Sequence, residues 1–411
     1  MNIELVNTGS ELMLGFVLNT HQQWLCRELS KAGYVVVRQV AVSDSGPAIQ
    51  QAVAEAILRA NLVITTGGLG PTSDDITREK IAELFGKKLI EDAAIVAEIE
   101  KFFATRKRPM PAKTRIQAMV PEGAIVLPNP NGTAPGLAME TSGGLLIMLP
   151  GPPRELRPMF TNQALPLIRK RFPQPGGFLC KVLKTTGIGE SVVEEKVEPL
   201  LADLFKQGLE IGYCARVGEV DVRLVGRGDD AERLVGEAEQ IIRRKMGSFV
   251  FGIENDGLDA VVVRMLTESG RTLALAESCT GGFIANRITN IPGASAVFLA
   301  GLVTYSNEAK QKFLGVKKET LDAHGAVSAA TALEMAEGAR AQTGSDFAIS
   351  VTGIAGPTGG TPEKPVGTVF IALAMPAGAT LVKEYRNSYD RETFKFTTSQ
   401  QALDLLRREL L

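Results

Sequence analysis

Ser278, Tyr305 and Lys310 are residue types that together can hydrolyse an amide. Ser278 lies in 272–283, where a short apolar run breaks into a polar turn and Gly281 and Gly282 open an apolar-periodic segment at 283–291. That pattern predicts a buried strand, a turn and a helix. A hydroxyl at such a turn sits beside free backbone N–H groups, which stabilise a developing oxyanion or hold a phosphate. Read alone, the stretch is better explained by Ser278 or Thr280 capping the helix. The next segment shifts the balance. A second apolar run, 298–304, ends at Tyr305, and Ser306 can cap a helix that carries Lys310 in its first turn. The helix dipole disfavours a cation there. A partly buried lysine of lowered pKa can deprotonate a serine, and Tyr305 could relay or orient the proton. His21 falls in a different domain and His324 in a loop expected between helices, so a Ser-His-Asp triad ranks below a Ser–Lys pair. Cys279 is a rival nucleophile, although a thiol beside a serine is more often small packing.

A second constellation is acidic. Residues 1–170 alternate strand-like segments (3–7, 35–42, 62–66) with helix-like ones (22–31, 48–59). The alternation predicts a mainly parallel sheet covered by helices, with ligands at the carboxyl ends of its strands. Three loops fall there. One carries Glu11, one carries Asp44, and the third is 67–75. In the third, Gly67, Gly68, Gly70 and Pro71 form a turn through which a backbone can approach a phosphate, and Thr72 or Ser73 is expected to cap the next helix. Asp74 and Asp75 would repel a bare phosphate. A divalent metal ion between carboxylate and phosphate resolves that conflict, and one of the two aspartates can instead complement the helix dipole.

The chain has 411 residues, so two or three domains are expected. The hydrophobic share is 45%, the charged share 22% and the net charge −1. That balance gives no basic footprint for nucleic acid or an anionic membrane. Cys26, Cys180, Cys214 and Cys279 lie far apart, with no CxxC pair, as expected of reduced thiols in a cytoplasmic protein. No apolar run reaches membrane-spanning length, and the first residues lack the pattern of a secretory leader. Linker-like stretches at 172–177 and 254–257 delimit domains at 1–172, 178–253 and 256–411. The middle segment reads strand, helix, strand, strand, helix, strand, a split βαβ pattern. In the last domain the loop 352–360 carries Gly353, Ala355, Gly356 and Gly359 between two strands. It lacks the Lys-Ser/Thr of a P-loop, so ATP is not implied.

Several of these motifs coincide with a known family. Ala-Glu-Ser-Cys-Thr-Gly-Gly from 276, Val-Thr-Tyr-Ser-Asn-Glu-Ala-Lys from 303, His-Gly-Ala-Val-Ser from 324, Gly-Ile-Ala-Gly-Pro-Thr-Gly-Gly from 353 and Lys-Pro-Val-Gly-Thr-Val from 364 resemble the C-terminal domain of the CinA family. The resemblance implies a nicotinamide mononucleotide (NMN) amidohydrolase without a cofactor. Ser278 matches the nucleophile, Tyr305 and Lys310 its activating partners, and Arg391 a family arginine near the site. Thr280, Gly281 and Gly282 would contribute around the oxyanion, with Gly353, Ala355, Gly356 and Gly359 about the mononucleotide. The run 65–77 looks like the molybdopterin-binding, MoaB/MogA-like fold that forms the N-terminal domain of the family, and the runs from Asn129 and Leu149 are similar to its later motifs. That likeness implies a nucleotide site formed by Glu11, Asp44, Gly67, Gly68, Gly70, Pro71, Thr72, Asn131, Gly132, Thr133 and Glu155, with Asp74 and Asp75 on a metal, and metal-dependent cleavage of ADP-ribose. The middle segment resembles a KH-like domain. Gly187-Ile-Gly-Glu stands where a basic GxxG clamp would be, so RNA binding is not expected and a spacer or dimerisation role is preferred. The combined expectation is an α/β multi-domain chain, a homodimer of cytoplasmic location, that salvages pyridine nucleotides and takes NMN and ADP-ribose. The alternatives are a binding module for a molybdopterin-like ligand and an accessory protein of competence or DNA damage.

Overall fold

The structure is a computed structural model and describes residues 1–173 and 176–411; Gln174 and Pro175, inside the first expected linker, lie outside the described residues. Two compact units divide the chain, Met1–Cys180 and Lys181–Leu411.

The first unit is built on a six-stranded sheet in the order Val36–Val42, Ile3–Thr8, Leu62–Thr66, Leu145–Leu149, Gly136–Glu140, Ile125–Leu127. The first four strands are parallel and the last two antiparallel. Ile3–Thr8, Leu62–Thr66 and Leu145–Leu149 are buried along their whole length. The last is wholly apolar, and the polar residues of the first two are buried with the rest, Glu4 paired with Arg59 and Asn7 with Thr66. One face packs against Leu25, Leu29, Leu156 and Phe160, the other against Ile49, Val53, Ile81 and Ile99. The expected alternation is present, with strand and helix ends moved by one or two residues. The glycine loop differs from expectation. Its helix begins at Thr77 with Ile76 at the cap position and no side-chain cap, so neither Thr72 nor Ser73 caps it.

The second unit holds two sheets. Glu210–Arg216, Glu219–Arg227, Phe178–Thr186 and Val250–Ile253 lie side by side in that order, with the helices Glu190–Lys206 and Ala231–Met246 packed together. The second sheet runs Phe298–Val303, Leu273–Glu277, Phe347–Gly353, Thr368–Ala374, Leu381–Arg386. Its first three strands are parallel, and the other two add as antiparallel neighbours. Leu258, Leu275, Phe394 and Leu403 fill one side, and Leu314, Ala332, Met335 and Ala372 the other. The middle segment and the last domain are joined more closely than a linker at 254–257 implies. Phe251 belongs to the core of the last domain. Gln400 donates to Glu219 at 2.6 Å, and Arg408 donates to Ser248 Oγ at 3.0 Å.

Candidate active site

Leu273–Glu277 is fully buried at the centre of the second unit, between two parallel neighbours. Ser278 is the first residue beyond it. Its N–H donates to Val351 O at 3.0 Å, which fixes the backbone of the nucleophile to the next strand. The chain then turns through Gly281 (φ +62°) and Gly282 (φ +91°), a left-handed pair that glycine adopts without the penalty of a Cβ. The helix Phe283–Thr289 follows.

Lys310 meets Ser278 across 32 residues of sequence. Ser306 caps the helix Asn307–Leu314 by accepting from Ala309 N at 3.1 Å, and Lys310 turns inward from that first turn. It is only 1% exposed. Its Nζ lies 3.0 Å from Ser278 Oγ, 2.9 Å from Thr304 O and 3.2 Å from Tyr305 O. A neutral amine has two N–H donors and one lone pair. The two carbonyls and the Ser278 hydroxyl match the three donors of the ammonium; in the neutral amine the two carbonyls keep the N–H groups and the lone pair can face the Ser278 O–H. Burial pushes the Lys310 pKa below the ordinary value of an amine, opposed by negative charge on Cys279. That opposition vanishes near neutral pH, because burial pushes the Cys279 thiol up to about 12. Cys279 is therefore a protonated core thiol and not the rival nucleophile.

Three expectations need correction. Tyr305 positions Lys310 through its backbone carbonyl, while its phenol is 62% exposed and accepts from Arg391 Nη2 at 3.0 Å. A relay through the phenol has no support in that geometry. The oxyanion donors also change. Gly282 N already donates to Glu277 Oε2 at 3.0 Å and Gly281 N to Ser278 O at 3.1 Å. The amides of Cys279 and Thr280 reach no carbonyl or carboxylate among the described residues and lie against the Cys279 sulfur. His324, finally, ends the helix Lys318–His324 and does not lie in a loop.

Arg391 links two parts of the site. It begins the helix Arg391–Glu409, capped by Asp390, and donates to Gly356 O at 3.1 Å as well as to Tyr305. Ala355 and Gly356 are buried, Gly353 closes its strand, and Gly359 is exposed. Thr280 is fully buried, with its hydroxyl unpartnered.

Glu277 was not anticipated from sequence. Its buried carboxylate accepts from Gly282 N, Ile284 N and Ala285 N at 3.0, 3.1 and 2.8 Å, so it caps the helix that follows the nucleophile. An acid closing an otherwise apolar strand was the available signal. Lys395 was also missed; it stands four residues after Arg391 on the same helix.

In the first unit a cleft of about 570 Å³ opens at the carboxyl ends of the strands. Glu11, Asp44, Gly67, Gly68, Gly70, Pro71, Asp74, Asp75, Thr133 and Glu155 line it, and Thr72, Asn131 and Gly132 do not. Gly132 supports the cleft from behind, since a Cβ there would collide with Glu155 Oε2. Burial pushes the Glu155 carboxyl up, against the Asn129 hydrogen bond and Arg154. Arg154 itself is exposed. Gln117 and His21 join the lining and were missed. The metal expectation finds no prepared cage. Asp75 turns back to accept from Thr72 N at 3.0 Å and from the Thr72 hydroxyl, Asp44 accepts from Ser10 N at 2.7 Å, and no three His, Cys, Asp or Glu among the described residues converge on one point.

These residues lie in segments that match three families. Residues 255–410 match the CinA C-terminal domain, 4–170 a probable molybdopterin binding domain and 180–252 the KH domain of damage-inducible protein CinA. A CinA-like protein of Kosmotoga olearia is 44% identical over 414 residues, covering 100% of this chain and 99% of that protein. The chain belongs to the CinA family. A putative competence-damage inducible protein of Moorella thermoacetica, another CinA relative, is also 44% identical, over 100% of this chain and 99% of its own. Among solved structures, the competence/damage inducible protein CihA of Agrobacterium tumefaciens is 44% identical, covers 38% of this chain and 96% of its own, and gives a TM-score of 0.36. The molybdopterin biosynthesis enzyme MoaB of a Thermus species is 19% identical, over 41% and 92%, with a TM-score of 0.29. Among the described residues no helix is long and apolar enough to cross a membrane.

Proposed function

We propose that the last domain hydrolyses the carboxamide of NMN to nicotinic acid mononucleotide and ammonia. The observation that carries the reading is the buried Lys310 amine 3.0 Å from Ser278 Oγ, held there by two carbonyls. The substrate comes from the family resemblance; the reaction type comes from this pair. The Lys310 lone pair takes the hydroxyl proton as Ser278 Oγ bonds to the amide carbon. The amides of Cys279 and Thr280 receive the developing oxyanion. The Lys310 ammonium then gives its proton to the departing nitrogen, and ammonia leaves an acyl-serine. Water, deprotonated by the same amine, cleaves the ester and restores Ser278. Ammonia release from NMN by the purified chain tests the reading. It should be present in the wild type and absent in a folded Ser278→Ala. Near-normal turnover in that variant would sink the assignment.

A second reading concerns the first unit, favoured by the size and lining of its cleft. There we propose binding and cleavage of ADP-ribose. A divalent cation would enter with the diphosphate and neutralise its charge, with Asp74 on the cleft wall as the carboxylate that would face it, its pKa held down by a hydrogen bond from Thr72. The carboxylates do not converge, so no catalytic step is derived for them. Cleavage that survives a chelator would remove the metal.

A further inference from the structure

Lys395 takes no part in the chemistry above and has no carboxylate partner among the described residues. It follows Arg391 by four residues on the helix Arg391–Glu409, so the two side chains share a face. Its Nζ stands 4.0 Å from the point where a Cβ on Gly281 would sit, and 5.8 Å from the centre of the Phe283 ring. Gly281 is three residues beyond Ser278. The ammonium therefore hangs over the turn that carries the nucleophile. Arg391 is likewise without a carboxylate, because its donors go to Gly356 O and the Tyr305 hydroxyl. Neighbouring Asp390 keeps its charge at the helix end, where its carboxylate accepts from Glu392 N, Thr393 N and Thr393 Oγ1, and makes no ion pair with either cation among the described residues.

Two like charges four residues apart on one helix face repel. An anion arriving between them removes that cost. We propose that Lys395 is a specificity-determining residue, which with Arg391 holds the phosphate monoester of the nucleotide while the carboxamide lies at Ser278. The arginine contributes a planar fork already oriented by Tyr305 and Gly356, and the lysine a mobile point charge. The inference rests on the amidohydrolase reading for the position of the carboxamide, not for the binding of the phosphate.

Equilibrium binding separates the two. In a Ser278→Ala background, NMN and its phosphate-free nucleoside, nicotinamide riboside, are titrated by calorimetry. NMN should bind at least about tenfold more tightly, the gain of a charge-assisted hydrogen bond. Lys395→Gln should reduce that ratio by about tenfold, whereas Lys395→Arg, which keeps the charge, should retain most of it. Added salt should shrink the ratio in the parent and leave it nearly unchanged in Lys395→Gln. Lys395→Met provides a second neutral variant where the glutamine does not fold. Equal ratios in the parent and the neutral variants would overturn the proposal, as would a fall that Lys395→Arg reproduces. Ammonia release by the wild type distinguishes the failures. No ammonia with a Lys395-dependent ratio removes the amidase and keeps the phosphate site; ammonia with a Lys395-independent ratio does the reverse.

Discussion

Replacing Lys310 by arginine tests the proton transfer at its centre. An amine at its ordinary value of 10.5 would be neutral in about one molecule in a thousand at pH 7.5, and each unit of lowering multiplies that fraction by ten. Burial is the main cause of lowering here, and it acts on an amine with a hydroxyl already 3.0 Å away. The wild-type kcat should therefore rise tenfold per pH unit below the lowered pKa and level off above it. Arginine stays protonated across that range and is longer, so it supplies no lone pair and displaces the Thr304 and Tyr305 carbonyl contacts. A positioned base contributes about 10²–10⁴ in rate, so Lys310→Arg should lose about 10³-fold or more in kcat. Lys310→Met should be similarly inactive while retaining NMN binding. The assay is ammonia release across pH 6–10, with melting curves to confirm folding. A Lys310→Arg enzyme within tenfold of wild type, or a wild-type rate that falls as pH rises, would refute the assignment and leave Lys310 a purely electrostatic residue.

Glu277→Leu should lower stability by about 3 kcal/mol or more, because three backbone N–H groups lose a buried charged acceptor; denaturant unfolding measures it, and a loss within 0.5 kcal/mol, the range of an ordinary surface change, would argue against the cap. A fragment of residues 256–411 retains Ser278, Lys310 and Arg391 but loses Phe251 from its core and the Glu219 and Ser248 partners of its last helix. It should melt roughly 6–12 °C below a fragment of 181–411 while turning over NMN at a similar rate per folded molecule, on the basis of about 3 kcal/mol for the buried ring; equal melting temperatures would show the two domains to be independent.

Much of the fold was legible because its central strands are buried along their length and several of its helices open on a capping residue, as Asn19, Ser306 and Asp390 do. The strand Leu62–Thr66 begins and ends where the sequence predicts, and the middle segment has its elements in the predicted order. The Ser278–Lys310 pair was legible because each follows a strand. Ser278 comes directly after the buried strand Leu273–Glu277, and Lys310 lies in the first turn of the helix after the edge strand Phe298–Val303, whose residues are alternately half-buried and exposed. What escaped was contact made across distance. The Tyr305 phenol meets Arg391 86 residues away, and no spacing encodes that. Asp75 accepts from Thr72 and closes the glycine loop on itself, which moves the helix start to Thr77 and takes one carboxylate out of any metal shell. The expected linker at 254–257 has the composition of one, yet the buried face of Arg391–Glu409 binds the last domain to the middle one.

The geometry of Ser278 and Lys310 has one common origin in Glu277. In parallel register it faces Val303 on one side and Val351 on the other. Its carbonyl accepts from Thr304 N at 2.9 Å, which sets the residue whose own carbonyl receives Lys310. On the other side Val351 accepts from Ser278 N, which sets the nucleophile. Its carboxylate meanwhile takes up the free amides at the start of the helix Phe283–Thr289. The positive end of that helix is therefore taken up by a permanent anion, and the proposed mechanism draws its oxyanion donors from the amides before it, at Cys279 and Thr280. A one-residue slip of the strand would send alternate side chains to opposite faces. It would separate Ser278 from Lys310 and bury the helix end without its acceptor. Stability and catalytic alignment thus impose the same register on Leu273–Glu277.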